Sequence, residues 1–328
     1  MPAVGLDTMP VSSAAPHWLH RLALVTCGAT VLLVVAGGLV WATGSALACP
    51  DWPLCYGQLF PHMVGGVLFE HSHRLIAAAV STLTALLAFG LWRQGGRLRR
   101  LGVLALGLVL AQALLGGLTV IFRLPLLIRV AHLATSQAFF GTTVWVAFET
   151  SKGPRPDPRP GEGSGRTLAG VAAAAVYLQL LVGALVRHTG SGLACNASVL
   201  LCGGQLWPTR VSGVAGPLGA AELVTFHRLF ALVVAALAFA ASARALRVGA
   251  ARARPFALAA MGLVLVQIGL GAFSVWSYLS IPVVTAHLAT GALLWAATLS
   301  LYLGLGPAAR DSEADEPAAA RLPATAGL

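Results

Sequence analysis

Eight long apolar segments constrain the fold of this 328-residue chain more than any other feature. A helix rises about 1.5 Å per residue, so each segment is long enough to cross a hydrocarbon core of about 30 Å. Charged residues make up 10% of the chain, against about 25% in a soluble domain. The pattern predicts an all-α integral membrane protein with eight transmembrane helices. It predicts no cleavable signal peptide, because the first apolar segment has full length. The segments cover residues 22–43, 64–91, 101–122, 126–148, 167–187, 221–243, 256–277 and 281–304.

The basic residues predict how these helices are oriented. With both termini in the cytoplasm, the inner segments hold 15 of the 21 lysines and arginines, as the positive-inside rule requires. Anionic lipids of the inner leaflet are the expected partners of this charge. The net charge of +10 is thereby explained, and no nucleic acid is needed to account for it. We expect a multi-pass protein of the cell membrane that contacts the lipid bilayer and no nucleic acid.

The chain contains an internal duplication. His73 and His132 recur as His227 and His287, which lie 154 and 155 positions later, each in a matching context. Four helices per repeat give both repeats the same orientation. We therefore predict two four-helix bundles related by a pseudo-twofold axis along the membrane normal. The predicted parts are an N-terminal half at 1–150, a cytoplasmic linker at 151–166, a C-terminal half at 167–306 and a disordered cytoplasmic tail at 307–328.

These four histidines are the main candidate site residues. An ionisable side chain within an apolar helix is costly and usually serves a function. Each pair is predicted to lie at equal depth, roughly 10 Å from the outer face, on two different helices. Two facing imidazoles can hold a metal-bearing ring such as haem between them. The alternative is a set of buried histidines that only bond to neighbouring helices.

Two pairs of cysteines lie in equivalent outer loops, Cys49 with Cys55 and Cys195 with Cys202. In an oxidising compartment each pair is predicted to form a disulfide that closes its loop. A labile dithiol that assists the reaction or responds to redox state is the second interpretation for the second loop and an equal alternative to the structural disulfide for the first. Thiolate ligation of a metal comes third, because each loop offers only two soft ligands. Cys27, within the first helix, is interpreted as a small core residue.

Glu70 distinguishes the two halves. It lies three residues before His73 and so shares a helix face with it, whereas the equivalent residue of the second half is Val224. A site of chemistry has more use for a carboxylate than a site that only conducts electrons. Glu70 is therefore the candidate catalytic residue, to position water, accept a proton or stabilise developing charge. The alternative is an ion pair with Arg74 or Arg129.

The remaining polar residues receive simpler interpretations. His71 is a second candidate ligand beside His73, but the repeat places Thr225 opposite it, so we expect a surface or loop-facing side chain, with a proton relay as the alternative. His62 and His188 are predicted in outer loops and His17 and His20 in the N-terminal tail, all solvated. Gln112 and Gln267 are predicted to form interhelical hydrogen bonds, with a role in lining haem as the second interpretation.

Several ordered motifs together resemble the haem A synthase family. The resemblance covers residues 18 to about 304. Its motifs are Gly-Leu-Val-x-x-Thr-Gly-Ser at 38–45, Cys-Pro-Asp-Trp-Pro-Leu-Cys at 49–55, Glu-x-x-His-Arg at 70–74, Gln-x-x-Leu-Gly-Gly-Leu-Thr-Val at 112–120, and the two Ala-His-Leu-Ala-Thr runs at 131–135 and 286–290.

The resemblance implies an enzyme that oxidises the C8 methyl group of haem O to the formyl group of haem A by successive hydroxylations. It implies that His73 and His132 hold the substrate haem, and that His227 and His287 hold a haem b cofactor that receives electrons. Arg74 and Arg228 are candidates to bind haem propionates, with snorkelling to the outer interface as the alternative. Apolar grooves between helices are expected to hold the prenyl tail of the substrate.

Two other functions fit parts of the pattern. A dihaem b-type electron-transfer protein would have no use for Glu70. A transporter of haem or of a transition metal would leave the bound haem unmodified. If the enzyme interpretation is right, haem O synthase and cytochrome oxidase assembly factors are candidate partners, and a homo-oligomer is a candidate assembly.

Overall fold

The computed structural model describes residues 15–151, 161–196, 198–208 and 219–306. Within these ranges the chain is all-α, as predicted, and its only β-type pairings are two isolated bridges in the loops. The disordered tail predicted at 307–328 and most of the predicted linker lie outside the described residues. The long helices are α1 (His17–Ala42), α2 (Gly65–Trp92), α3 (Gly96–Ile121), α4 (Leu126–Thr150), α5 (Glu162–His188), α6 (Ala220–Val248), α7 (Arg254–Trp276) and α8 (Ile281–Gly304).

Seven of these helices are long and apolar enough to cross a membrane, and the chain is a multi-pass membrane protein. Among the eight long helices described, α4 is less apolar than the other seven. It carries Arg129, His132 and Glu149 together with several hydroxyl side chains, and ten of its 25 residues are buried. These polar residues lower the mean hydropathy of the helix. At about 37 Å, α4 is still long enough to span a bilayer, and the eighth crossing stays a prediction.

The helices of each half pack in a closed ring. In the first half α1 contacts α2 and α4, and α3 contacts α2 and α4; in the second half α5 contacts α6 and α8, and α7 contacts α6 and α8. The two rings meet where α1 and α4 contact α8, and α4 also contacts α5. At this junction Gly141 admits the Trp295 indole, whose Nε1 donates to the Gln137 carbonyl at 3.0 Å. The pseudo-twofold axis and the sidedness stay predictions.

Three helices, α1, α3 and α5, each begin five residues before the apolar segment that predicts them, and the starts of α1 and α5 change a prediction. The α1 helix starts at His17, so the prediction that His17 and His20 lie in a tail was wrong. His17 is exposed, as expected, but His20 is half-buried with its Nδ1 3.2 Å from Thr150 Oγ1. The α5 helix starts at Glu162, within the predicted linker. In both cases the helix continues past the apolar stretch because its polar first turn bonds to the protein.

The two cysteine-containing loops have the same construction in both halves. Disulfides join Cys49 to Cys55 and Cys195 to Cys202, as predicted. Each second cysteine forms a β-bridge to the glutamine three residues later. In the first loop the Asp51 carboxylate accepts hydrogen bonds from the Gly57 and Tyr56 amides. The Gly57 bond is the main reason that the pKa of Asp51 is below its usual value.

The packing of Gly141 against Trp295 predicts a difference between two glycine substitutions. A Cβ at Gly141 would lie 3.0 Å from the Trp295 ring, whereas a Cβ at Gly107, on the exposed face of α3, would have nothing within 4 Å. Gly141→Val should therefore lower the free energy of unfolding by about 1–3 kcal/mol more than Gly107→Val does. Thermal unfolding of both purified variants in the same detergent measures this difference. Equal midpoints would show that the junction does not depend on this contact.

Candidate functional site

A cavity of about 480 Å³ opens among the helices of the first half. Its wall contains His73 from α2 and His132 from α4, the two predicted substrate-haem ligands, together with Glu70, Arg74 and Gln112. The volume lies within the range of small-molecule sites, about 300–1,000 Å³. The sequence prediction that these residues share one site is consistent with this geometry.

In the first half, each imidazole faces a glycine of the neighbouring helix. A Cβ at Gly37 would lie 3.1 Å from His73 Nε2, and one at Gly116 would lie 3.2 Å from His132 Cε1. Gln112 Nε2 lies 3.2 Å from His132 Nε2. No hydrogen bond within the described residues engages either nitrogen of His73, and His132 Nδ1 is buried without a partner. Any larger residue at these glycines would occupy the space that the rings use.

The second half repeats this arrangement at the equivalent positions. A Cβ at Gly183 would lie 3.1 Å from His227 Cε1, and one at Gly271 would lie 3.3 Å from His287 Cε1. Gln267 Nε2 lies 3.4 Å from His287 Nε2, so both predicted interhelical glutamines contact a histidine.

Gln179 is a site residue that the sequence interpretation missed. Its side-chain amide donates to His227 Nδ1 at 3.0 Å and to the His227 carbonyl at 2.8 Å. It lies one helical turn before Gly183, on the face that meets His227. A single amide inside the apolar run 167–187 was the available signal.

The residues present fit a bis-imidazole haem site in each half. All four rings retain at least one nitrogen without a partner among the described residues. Imidazole suits iron as a ligand, and each pair comes from two different helices of one half. The flanking glycines leave the rings space, and the glutamines fix their orientation. The assignment of these residues as haem ligands and the identity of any bound haem stay predictions.

Glu70 is buried, with 4% of its surface exposed, and both of its oxygens are engaged. Oε1 forms a 2.6 Å ion pair with Arg74, and Oε2 accepts a 2.8 Å hydrogen bond from the Cys49 amide. The ion pair with Arg74 that we considered as the alternative is therefore present, and Glu70 also lines the cavity. In the second half Val224 packs in an apolar cluster with Cys195 and Cys202. The carboxylate is specific to the first half.

The two arginines predicted to bind propionates differ in whether their guanidinium nitrogens already have hydrogen-bond partners. Arg74 donates to the backbone carbonyls of Asp51 and Leu54 and lies 3.4 Å from that of Cys49, so it holds the disulfide loop on α2. Arg228 donates from Nη1 to the Ser198 carbonyl, while its Nη2 is buried without a partner. The propionate role of both residues stays a prediction.

Three further residues line the cavity where the two halves meet. Arg129 and Arg187 lie over the Trp41 ring, with guanidinium carbons 4.9 and 6.0 Å from its centroid, and His188 meets the same ring edge-on at 4.6 Å. The prediction that His188 is solvated was wrong: it ends α5 and is half-buried against α1. The sequence contained a signal for Arg129, which lies three residues before His132 as Glu70 lies before His73.

His71 is not a surface residue. It is 2% exposed, and its Nε2 donates a 2.8 Å hydrogen bond to the Leu59 carbonyl of the disulfide loop, so the prediction of a loop-facing side chain was right. His62 is exposed, as expected, and Cys27 is half-buried against the cluster around Phe140.

Fold and site together define a multi-pass helical membrane protein with paired intramembrane histidines. A family profile described as cytochrome oxidase assembly protein, COX15-CtaA, matches residues 20–66 and 63–299. The chain belongs to this family, which confirms the resemblance found in the sequence.

Named relatives agree with this assignment. The heme A synthase of Geobacillus kaustophilus is 29% identical over 282 residues, which are 82% of this chain and 86% of the relative. That of Shouchella clausii is 33% identical over 201 residues, 58% of this chain and 65% of the relative. That of Bacillus licheniformis is 30% identical over 184 residues, 54% and 61%. For the last two, the match covers less than two thirds of the relative's length.

The contacts of Glu70 predict how two substitutions affect the first loop. Glu70→Ala leaves the Cys49 amide and the Arg74 guanidinium without their carboxylate, which should cost about 1–3 kcal/mol. Glu70→Gln keeps an acceptor for the amide and should cost less. Thermal unfolding, with hydrogen exchange of residues 49–60, tests both. If Glu70→Ala neither lowers the midpoint nor speeds loop exchange, the carboxylate does not hold the loop.

Proposed function

We propose that this protein is a haem A synthase, which oxidises the C8 methyl group of haem O to a formyl group by successive hydroxylations. Family membership and the names of the relatives support a role in haem A biosynthesis. The observation that carries the proposal is a carboxylate that is present in the first half and absent at the equivalent position of the second. Glu70 lies in the wall of the cavity that holds His73 and His132, whereas Val224 takes its place beside His227.

In this proposal the two halves have different tasks. His73 and His132 hold haem O as substrate, and His227 and His287 hold haem b. When bound, haem b supplies the redox chemistry that takes up electrons from the oxidation. The chain's own contribution is to fix both rings. Four glycines let the imidazoles stand close to the helices, and Gln112, Gln179 and Gln267 orient them.

Access of water to the first site is limited by the disulfide loop. The Trp52 indole lies against α3 so closely that a Cβ at Gly117 would be 2.8 Å from its ring. Trp52, Pro53 and Leu54 all line the cavity and cover it on that side. Apolar residues of α1 and α3, such as Leu33 and Val109, form the deeper wall. We assign the prenyl tail of haem O to these apolar surfaces.

Glu70 is the residue we assign to the oxidation step. Arg74 and the Cys49 amide hold its carboxylate fixed, so its negative charge faces the cavity without needing to reorganise. A preorganised charge of this kind stabilises positive charge that develops at the methyl carbon during oxidation. It can also accept a proton from the reacting group. Both roles need the negative charge of a carboxylate, and Val224 cannot supply it at the equivalent position of the second half.

Two guanidinium nitrogens without a hydrogen-bond partner suggest where haem carboxylates bind. Arg129 Nε and Arg228 Nη2 are buried without a hydrogen-bond partner among the described residues. An unpaired buried donor is costly, and a propionate would satisfy it with a charge-assisted bond. We assign Arg228 to the haem b propionates and Arg129 to those of haem O. Arg74 must release a loop carbonyl before it can serve in the same way.

The proposal includes the predicted topology and partners. Two parallel four-helix halves with cytoplasmic termini would place the disulfide loops and the cavity at the outer face. Arginines at the other ends of the helices support this orientation, such as Arg93 and Arg99, which lie over Phe89 and Trp92. Haem O synthase and cytochrome oxidase assembly factors remain the proposed partners.

Extraction of haems from the expressed protein tests the reaction. In cells that supply haem O, the wild-type chain should yield haem A, identified by mass after separation. His73→Ala and His132→Ala should abolish this yield but retain haem b, whereas His227→Ala and His287→Ala should lose haem b. Haems B and O alone from the wild type, under turnover conditions, would favour the dihaem electron-transfer protein.

Glu70→Gln tests the catalytic assignment separately. Gln preserves the shape and an acceptor for the Cys49 amide but removes the charge. We expect the rate of haem A formation to fall by about 100-fold or more, with haem O binding retained in the absorption spectrum. Val224→Gln, the same residue placed at the equivalent position, is the matched control and should leave the rate within a few-fold. An unchanged rate in Glu70→Gln would reduce Glu70 to its structural role in the loop.

A further inference from the structure

We propose that Cys49, Cys55 and His71 form a binding site for a soft d¹⁰ cation, Zn²⁺ or Cu⁺, when the first disulfide is reduced. Among the described residues these three form the one cluster of metal-ligating groups, with the two sulfurs and an imidazole nitrogen all within 4.8 Å of one another. The disulfide loop therefore offers a third ligand, which the sequence alone did not indicate.

The state of the His71 ring supports a ligand role. A carbonyl oxygen can only accept, so the 2.8 Å bond to Leu59 requires the proton on Nε2. Nδ1 then presents a lone pair, and it is buried without a partner. Histidines that bind metals typically donate their other N–H to a backbone carbonyl or carboxylate, which fixes the ring. The Leu59 carbonyl already holds His71 in this way, and the His71 side chain is 2% exposed.

The ligand set matches known preferences for metals. Two thiolates and one imidazole suit Zn²⁺ and Cu⁺, and hard cations such as Mg²⁺ prefer oxygen. With Zn–S bonds of about 2.3 Å, two sulfurs on a tetrahedral ion lie ~3.8 Å apart. The sulfurs, now bonded to each other, must therefore separate, and reduction is what permits this. His71 also lines the cavity, which gives the ion a path.

The chemistry balances with a dithiol as reductant. A dithiol of the outer compartment transfers two electrons and two protons to the Cys49–Cys55 bond and is itself oxidised to a disulfide. Binding of the cation then releases the two thiol protons, and His71 binds through the existing lone pair. The second half provides a natural comparison. There Thr225 replaces His71, with its hydroxyl 3.7 Å from Cys195 Sγ, so that loop offers two soft ligands.

Metal binding to the purified full chain, with its haems, tests the proposal. Zn²⁺ and Cu⁺ are titrated separately into protein reduced with a phosphine and into oxidised protein, and bound metal is counted by mass spectrometry. We expect the reduced form to bind one more ion per chain than the oxidised form. His71→Thr, which copies the second half, should weaken this binding by about tenfold or more. A preference for one ion in competition identifies which of the two the site takes.

A second measurement needs no variant. Saturating Zn²⁺ should protect Cys49 and Cys55 of the reduced wild type from alkylation by a maleimide, while Cys195 and Cys202 stay reactive, as peptide mapping would record. Equal protection of both loops, no extra ion on reduction, or unchanged affinity in a folded His71→Thr variant would overturn the proposal. None of these readouts depends on haem A formation.

Discussion

The burial of four imidazoles among apolar helices is the constraint on which the rest of the structure depends. A polar ring within the hydrocarbon layer needs both space and partners. Here the space comes from a glycine on an adjacent helix, since a Cβ at Gly37, Gly116, Gly183 or Gly271 would lie only 3.1–3.3 Å from a ring. Three of the rings also have a side-chain amide as partner, from Gln112, Gln179 or Gln267, whereas His73 has none among the described residues. Helix spacing, glutamine positions and the cavity all follow from this arrangement, because helices that moved apart would leave the rings unsupported.

The duplication supplied two equal frameworks, and a few substitutions made them chemically different. The first half has Glu70 and His71 where the second has Val224 and Thr225. Both side chains of the first half bond to its loop, whereas Val224 packs among apolar residues and the Thr225 hydroxyl lies 3.7 Å from Cys195 Sγ. The second half has Gln179 on His227, which the first half does not match. A ring held by more bonds and surrounded by apolar side chains suits a resident cofactor. A ring beside a fixed charge and a cavity suits a molecule that must react and leave.

The sequence was sufficient to predict the candidate site residues whose neighbours follow from their position along one helix or from the repeat. The repeat offsets aligned His73 with His227, and the helical period placed Glu70 beside His73. What the sequence did not indicate depends on contacts between halves. His188 was assigned to an outer loop because it follows an apolar run, yet α5 continues through it to meet Trp41 of α1. In the same way, α4 was read as an ordinary span, although its hydroxyl groups and Gly141 show that it packs between α1, α3, α5 and α8.

The first loop and the first site are one physical unit. Glu70 accepts from the Cys49 amide and pairs with Arg74, and Arg74 in turn donates to carbonyls on both sides of Trp52. His71 binds the far end of the same loop at Leu59. Any change at the Cys49–Cys55 bond therefore reaches the carboxylate through a single amide, and reaches the cavity cover through a single guanidinium. At the equivalent position of the second half, Val224 has no carboxylate to receive such a change, so the second disulfide lacks this connection to the histidines of its half.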